Sequence, residues 1–230
     1  MPNIPTKVAR NKMKKELVTV IIPIYLKVLS AFEEISLSQT LKVLNKYPIT
    51  FMTRAGLDTS WYKEFCRGKA DVFFEEFKWT GFDEFGELST SSNFYKRFLG
   101  YEYILICHTD AFVFRDELEK WCQFGYDYIA SVIYNPHWDG KRSGFHRLLG
   151  FTTLEYYGNG GFTLKKVETF YRITSKFRLF IYFYHLLRKI RKAGFLDDIF
   201  IAELFPSLSS SFHVAPKSLA QVRGCLRKMG

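Results

Sequence analysis

Three segments of the chain carry residues whose types and spacing could perform chemistry on a bound substrate, and the first contains Asp110. This residue follows shortly after a strongly apolar run that ends at Cys107. In parallel α/β sheets ligands bind beyond the carboxyl ends of the strands, where a carboxylate could hold Mg²⁺ or Mn²⁺ against a diphosphate. An Asp at this place could equally cap a turn or the helix predicted from Asp116, so its position alone leaves both interpretations open.

The second segment is Gly158-Asn159-Gly160-Gly161. Three glycines in four residues permit positive φ angles and a close approach of the backbone to a ligand. The spacing does not match the GxGxxG dinucleotide motif, and no Lys-Ser/Thr pair follows as it does in a phosphate-binding loop. An ordinary tight turn is the simpler interpretation of these residues, and the sequence alone favours it.

The third segment is the acidic pair Asp197-Asp198 at the start of a short predicted helix. Adjacent carboxylates at a helix start usually cap the helix and complement its dipole. A general base for sugar transfer is nearly always a carboxylate, because it must accept a hydroxyl proton near neutral pH. Capping is the favoured interpretation unless the pair is linked to Asp110. The chain has no HExxH motif, and His213, between polar serines and a predicted strand, is the histidine that could reach a metal.

Alternating strands and helices must position these residues. Leu17 to Tyr25 is an almost continuous apolar run, typical of a strand buried on both faces, and Ser30 with Glu33 forms a capping-box signature for the next helix. A strand at 49–53 completes a β-α-β opening, which favours a parallel sheet. Further strands are predicted at 103–107, 111–114, 128–132 and 213–215, helices at 92–98, 116–122 and from about 165, and loops with short helices at 58–90.

Length predicts a single domain, and the alternating strands and helices predict an α/β fold with a mainly parallel sheet. The chain has 230 residues, of which 47% are hydrophobic and 18% aromatic, so it is not disordered and can form both a core and an aromatic-lined cleft. We expect the domain at 17–220, between a flexible basic segment at 1–16 and a basic tail at 221–230. Four widely spaced cysteines, the lack of a signal peptide and the lack of a membrane-spanning run predict a cytoplasmic chain.

The net charge of +10 is concentrated in three clusters, at 7–15, 176–192 and 217–228. Such charge suits nucleic acid, an anionic membrane or a phosphorylated substrate. Nucleic acid is the weakest of these, because no RNP, KH or zinc-finger pattern is present. The middle cluster flanks the apolar run LFIYFYHLL, which is too short to span a bilayer. It predicts either a helix lying in the plane of an anionic membrane, near a lipid-linked acceptor, or a core helix with a solvated basic end.

The order of these segments resembles a family of GT-A-like glycosyltransferase domains, long catalogued as a domain of unknown function and frequent in polysaccharide synthesis. The resemblance covers nearly the whole chain after residue 16 and implies a GT-A-like (Rossmann-like) mixed, mainly parallel sheet flanked by helices in a single domain. The matching stretches are VTVIIPIY (18–25), SLSQTLKVLNKYPI (36–49), LDTSWY (57–62), FYKRF (94–98), YEYILICHTDAFVF (101–114), WCQFGYDYIAS (121–131), GNGGFTLKKV (158–167), LDDIF (196–200) and FHVAP (212–216).

The resemblance implies a nucleotide-sugar donor bound at the early strands, with Pro23, Tyr25 and Arg54 near the base and ribose. Asp110 falls where related enzymes carry the last Asp of a DxD metal motif. The motif here reads His108-Thr109-Asp110, so one carboxylate is missing and dependence on Mn²⁺ or Mg²⁺ is an open question.

The resemblance also assigns the acceptor side of the site. Asn159, Gly160 and Gly161 would border the sugar or the acceptor. Asp198 matches the base of inverting members, which leaves Asp197 to cap the helix or to orient a substrate hydroxyl. The expected reaction is inverting transfer from a nucleotide-diphosphate sugar to a saccharide or lipid-linked acceptor. The alternatives are a retaining transferase, in which Asp198 would not be the base, and a non-catalytic nucleotide-sugar or carbohydrate-binding module.

Overall fold

The computed structural model describes residues 15–79, 82–133, 157–191 and 197–223. The strands are β1 (Glu16–Ile24), β2 (Ile49–Arg54), β3 (Val72–Phe77), β4 (Tyr101–Cys107), β5 (Tyr128–Ile133) and β6 (Tyr157–Lys166). The helices are α1 (Ala31–Val43), α2 (Ser60–Cys66), α3 (Phe82–Ser89), α4 (Ser92–Arg97), α5 (Leu118–Gln123), α6 (Val167–Lys176), α7 (Arg178–Ile190), α8 (Asp197–Leu208) and α9 (Lys217–Arg223). Most of the two predicted terminal segments, 1–14 and 224–230, lies outside the described residues.

The six strands form one sheet in the order β3-β2-β1-β4-β6-β5. The pairs β1 with β2, β1 with β4 and β2 with β3 are parallel, whereas β6 is antiparallel to both β4 and β5. This confirms the predicted mixed, mainly parallel sheet flanked by helices. Because β6 runs against all its neighbours, its first residues lie at the edge of the sheet where the other strands end.

Helix α1 begins with the predicted capping box. The Ser30 hydroxyl accepts a hydrogen bond from the Glu33 backbone N–H at 3.4 Å, and the Glu33 carboxylate accepts one from the Ser30 N–H at 3.0 Å. These reciprocal bonds satisfy two backbone donors that a helix start leaves unpaired. Leu37 and Leu41, one turn apart, are then buried against the sheet.

Two apolar clusters cover the two faces of the sheet. One contains buried residues of α1, α2 and α5, and the other is rich in aromatic residues from α3, α4, α6 and α8. In the second cluster the Phe170 ring lies 5.0 Å from Tyr95, 5.4 Å from Phe205 and 5.5 Å from Phe212, measured between ring centroids. Much of the high aromatic content therefore stabilises the core, where each buried ring contributes about 1.5–3 kcal/mol.

Two local predictions are wrong. Strand β3 lies in the segment predicted as loops and short helices, because it is an edge strand with an exposed Phe73 and two acids, Glu75 and Glu76, and so lacks a continuous apolar pattern. The predicted strand at 111–114 does not form. There the Ala111 N–H bonds to the His108 carbonyl at 3.0 Å and closes a turn instead.

Candidate active site

The glycine segment lies within β6 rather than in a tight turn. The described glycines with positive φ angles are Gly56, Gly68 and Gly125, so this segment does not use the positive φ that its glycines permit. The glycines allow close packing instead. A Cβ atom at Gly158 would lie 2.3 Å from the Ala130 Cβ, and one at Gly161 would lie 3.2 Å from the His108 Nδ1. Glycine is therefore needed at positions 158 and 161 because neighbouring atoms of the protein leave little or no room for a side chain.

A turn begins at His108, after the end of β4, and is hydrogen-bonded to the glycine segment. The His108 N–H donates to the Gly161 carbonyl at 2.8 Å, and the Gly161 N–H donates to the Asn159 Oδ1 at 2.8 Å. Asp110, on the same turn, is exposed. The structure thus brings together the predicted site residues of β4 and β6.

Thr109 ties this turn to the start of α1. Its hydroxyl donates to the Glu33 carboxylate at 2.8 Å. Burial alone would raise the pKa of Glu33, but hydrogen bonds from Ser30 and Thr109 lower it below its ordinary value. An ionised Glu33 therefore holds the turn that carries Asp110.

The acidic pair begins α8, and its two side chains point to different partners. The Asp198 Oδ2 accepts a hydrogen bond from the Gly160 N–H at 3.1 Å. The Asp197 Oδ2 lies 3.8 Å from the Lys165 Nζ and accepts a hydrogen bond from the Ser89 hydroxyl. Neighbouring helical residues diverge by about 100°, which accounts for the two directions. Both residues are buried, but Asp198 bonds to the glycine segment whereas Asp197 contacts Lys165 and Ser89.

Lys165 is a buried cation that the sequence analysis missed. Its side chain is 2% exposed, and burial lowers its pKa, while the charges of Asp197 and Asp198 oppose that change. Removal of one partner from a buried ion pair typically costs about 3–5 kcal/mol. Lys165 and Asp197 therefore stabilise the start of α8.

A groove of about 630 Å³ lies at the ends of β2 and β3. Its lining contains the cations Arg54, Lys78 and Lys189, the acids Glu84 and Glu87, and the largely buried Trp79. The Tyr25 ring meets Trp79 edge-on, with 6.3 Å between centroids, and is 54% exposed. The Tyr25 ring and the cations suit a flat base and a diphosphate, respectively.

Trp79 is a second residue that the sequence analysis missed, and its indole N–H has no hydrogen-bond acceptor among the described residues. Pro23, which the resemblance places near the base and ribose, is buried within β1 opposite Met52 of β2.

Helix α3 joins the groove to the acidic pair. Glu87 lines the groove, while Ser89, two residues later, bonds to Asp197. Phe85 of the same helix contacts the groove and the turn, since its ring centroid lies 5.8 Å from that of Trp79 and 5.5 Å from that of His108. The groove, the turn and the start of α8 therefore form one continuous region at one edge of the sheet.

His213 lies elsewhere. Its N–H donates to the Asp127 carboxylate at 2.9 Å, and its Nδ1 lies 3.6 Å from the same carboxylate. The Asp127 carbonyl accepts a hydrogen bond from the Lys166 N–H, and Lys166 lies opposite Tyr103 near the start of β4. Tyr103 is about 13 Å along the strand from Cys107, where β4 ends. Asp110 follows the other end of β4, so the structure does not bring these two predicted metal ligands together. Within the described residues no three His, Cys, Asp or Glu side chains form a metal cluster.

Several solved structures of low sequence identity share the fold. Mouse xyloside xylosyltransferase 1, in its apo form, matches with a TM-score of 0.56 and 12% identity over 86% of this chain and 84% of that one. Core-mannan synthase A from Aspergillus fumigatus, in an Mn/GDP form, matches with a TM-score of 0.51 and 14% identity over 91% and 74%. The 4-diphosphocytidyl-2C-methyl-D-erythritol synthase from Anaerococcus prevotii matches with a TM-score of 0.52 and 12% identity over 87% of each chain. The protein therefore has a GT-A-like fold, and the third structure shows that this fold does not by itself select the reaction.

The sequence gives a narrower assignment. Residues 69–222 match the profile of a family described as "Protein of unknown function (DUF5672)", and the chain belongs to that family. No curated protein sequence matches the chain significantly.

Proposed function

We propose that the protein is a glycosyltransferase that moves a sugar from a nucleotide-diphosphate sugar to a saccharide or lipid-linked acceptor. The observation that carries the proposal is the position of Asp198. Its carboxylate is held by the Gly160 N–H, in the same continuous region as the groove and the turn that carries Asp110. The GT-A-like fold is consistent with this chemistry.

The groove supplies the donor site of the proposal. Its volume of about 630 Å³ suits a nucleotide sugar, since small-molecule sites measure about 300–1,000 Å³. Tyr25, whose exposed ring meets the buried Trp79 edge-on, offers aromatic surface to the base. Arg54 and Lys78 offer positive charge to the diphosphate, and that charge would stabilise the leaving group as it departs.

Asp110 supports a divalent ion only as part of an open site. One exposed carboxylate beside His108 gives few ligands, so diphosphate oxygens and water would have to complete the coordination of Mn²⁺ or Mg²⁺. When bound, such an ion neutralises negative charge on the diphosphate. Arg54 and Lys78 of the groove would neutralise the same charge when no ion is bound.

Asp198 is the proposed base of an inverting displacement. Its carboxylate accepts the proton of an acceptor hydroxyl as the oxygen attacks the anomeric carbon, and the bond to the nucleoside diphosphate breaks on the opposite face. The Gly160 N–H fixes one carboxylate oxygen in place. Asp197 is engaged by Lys165 and Ser89 and positions the helix that carries the base.

Calorimetric titration with UDP- and GDP-sugars, followed by assays of nucleoside diphosphate release, tests this function. We expect one donor class to bind and to be turned over when an acceptor is present. Binding without turnover against a broad acceptor panel would favour the non-catalytic module. Release of pyrophosphate from a nucleoside triphosphate would instead favour nucleotidyl transfer.

We also propose that the protein works on the cytoplasmic side of an anionic membrane, as a peripheral protein. The described cysteines, Cys66, Cys107 and Cys122, are buried thiols, as expected in a reducing compartment. Among the described helices none is both long and apolar enough to cross a bilayer. A peripheral location would bring the site close to a lipid-linked acceptor.

A further inference from the structure

Helix α7 has an apolar face that the described part of the chain leaves exposed. We call it the α7 face, and each of its residues is at least 40% exposed: Leu179, Tyr182, Phe183, Leu186, Leu187 and Ile190. At about 100° per residue these six side chains occupy a continuous arc of about 140°. The opposite side of the helix, with Ile181, His185 and Arg188, is buried. The helix therefore packs on the core and also presents a second apolar surface to solvent.

The charges around the α7 face are positive. The helix contains no acidic residue, and exposed cations stand at Arg172, Lys176, Arg178, Lys189 and Arg191. Glu87 of α3 pairs with Lys189 at 2.8 Å and with Arg188 at 2.9 Å. Exposed apolar patches of this kind mark interaction sites, and a basic rim complements a negatively charged partner.

We propose that the α7 face docks the protein onto an anionic lipid bilayer, with the helix axis in the plane of the membrane. Six apolar side chains would enter the boundary between headgroups and acyl chains, and the cations would meet lipid phosphates. The helix has 13 residues, or about 20 Å, whereas the hydrocarbon core is about 30 Å thick. It can therefore lie on the bilayer but cannot cross it.

A second copy of the chain fits this surface less well. In a symmetric dimer the same patch meets itself, so the cationic rims of two α7 helices would approach each other without an acidic residue on either helix. Like charges in such contacts are unfavourable. A bilayer with anionic headgroups supplies both the apolar depth and the opposite charge.

A cavity at one edge of the α7 face suits a phosphate headgroup. It measures about 340 Å³ and combines Arg178, and Lys189 with its partner Glu87, with the hydroxyl-bearing residues Thr90 and Ser91 of the neighbouring segment. Tyr182 and Leu186 line it as well and continue onto the α7 face. Lys189 also lines the proposed donor groove. Docking would therefore bring the donor groove to the membrane surface, and this consequence rests on the proposed glycosyl transfer.

Vesicle flotation at low salt tests the docking with the full chain and without any donor. We expect the protein to float with vesicles rich in phosphatidylglycerol and to stay unbound with pure phosphatidylcholine. Leu179→Ser with Phe183→Ser should lower the partition coefficient roughly tenfold or more. The matched control is Phe32→Ser with Ile35→Ser on α1, because these side chains are 68% and 54% exposed against 68% and 56% for the α7 pair. Arg178→Gln should lower binding to anionic vesicles as well.

Equal binding by the α7 variant and its control would overturn the proposal, and so would equal binding to neutral and anionic vesicles. If the α7 substitutions leave flotation unchanged but turn a dimer into a monomer in sedimentation, the face is an interface between copies. Thermal melting shows whether each variant is folded. Flotation and donor turnover are measured separately, so a chain that turns over donor without floating refutes only the docking, and one that floats without turnover refutes only the enzyme.

Discussion

Gly158→Ala is expected to destabilise the protein, because β5 leaves no room for a side chain at this position of β6. The added Cβ would lie 2.3 Å from the Ala130 Cβ and 3.3 Å from the Tyr128 hydroxyl, whereas carbon atoms in contact prefer about 3.5–4.0 Å. The Ala130 Cβ cannot rotate away, so a strand must move. Overpacking of this kind costs about 1–3 kcal/mol. The unfolded-state gain of about 0.4–1 kcal/mol from replacing Gly by Ala offsets only part of that cost.

Urea unfolding of three variants checks this reasoning. Gly160→Ala is the matched control in the same strand, since its Cβ would meet no heavy atom closer than 3.5 Å, and it should be as stable as the wild type or slightly more so. Adding Ala130→Gly to Gly158→Ala should restore part of the loss, because the clashing atom is removed. If Gly158→Ala and Gly160→Ala have the same free energy of unfolding, the close packing of β5 against β6 described here is wrong.

Three further predictions address other parts of the molecule. Burial lowers the pKa of His185 from its ordinary 6.5 to about 4, so the folded imidazole stays neutral while the unfolded chain binds a proton. The free energy of unfolding should therefore fall as the pH drops from 6.5 to about 4, by at most about 3 kcal/mol at 1.36 kcal/mol per pKa unit. The loss should be smaller in His185→Gln, and an identical loss in that variant would contradict the role given to His185. Asp110→Asn should weaken nucleotide binding only when Mn²⁺ is present and should leave the melting temperature unchanged, whereas full wild-type turnover in EDTA would remove the metal from the account. Tyr25→Leu should weaken donor binding about fivefold in calorimetry, as expected for the loss of an aromatic contact of about 1 kcal/mol, while Phe73→Leu, at an equally exposed ring, should not.

The strands that are covered on both faces of the sheet could be predicted from the sequence. Strands β1 and β4 lie within two residues of their predicted bounds, because a strand covered on both sides needs a continuous apolar run. The capping box at Ser30 was predictable for a similar reason, since its bonds involve residues three positions apart. Strand β3 was not predictable in this way, because an edge strand tolerates exposed and charged residues.

The candidate site could be predicted only in part. The rule that ligands bind at the carboxyl ends of strands placed Asp110 correctly at that edge, and the glycine segment lies beside it. His213 was predicted as a metal ligand from its residue type and its place between polar serines and a strand, but the sheet register separates it from Asp110. Lys165 and Ser89 reach Asp197 from distant parts of the sequence, so only the packing of α3, β6 and α8 reveals their contact.

The central claim is that Asp198, and not Asp197, is the base of an inverting sugar transfer. Its most direct test is the turnover of Asp198→Asn with the donor that calorimetry identifies, together with the anomeric configuration of the wild-type product by NMR. We expect kcat to fall roughly 10²–10⁴-fold with donor affinity unchanged, because the amide keeps the shape of the carboxylate and loses its basicity. Asp197→Asn should lower the melting temperature through its buried partner Lys165 but reduce kcat much less. Wild-type turnover by Asp198→Asn, or a product that keeps the configuration of the donor, would contradict the account.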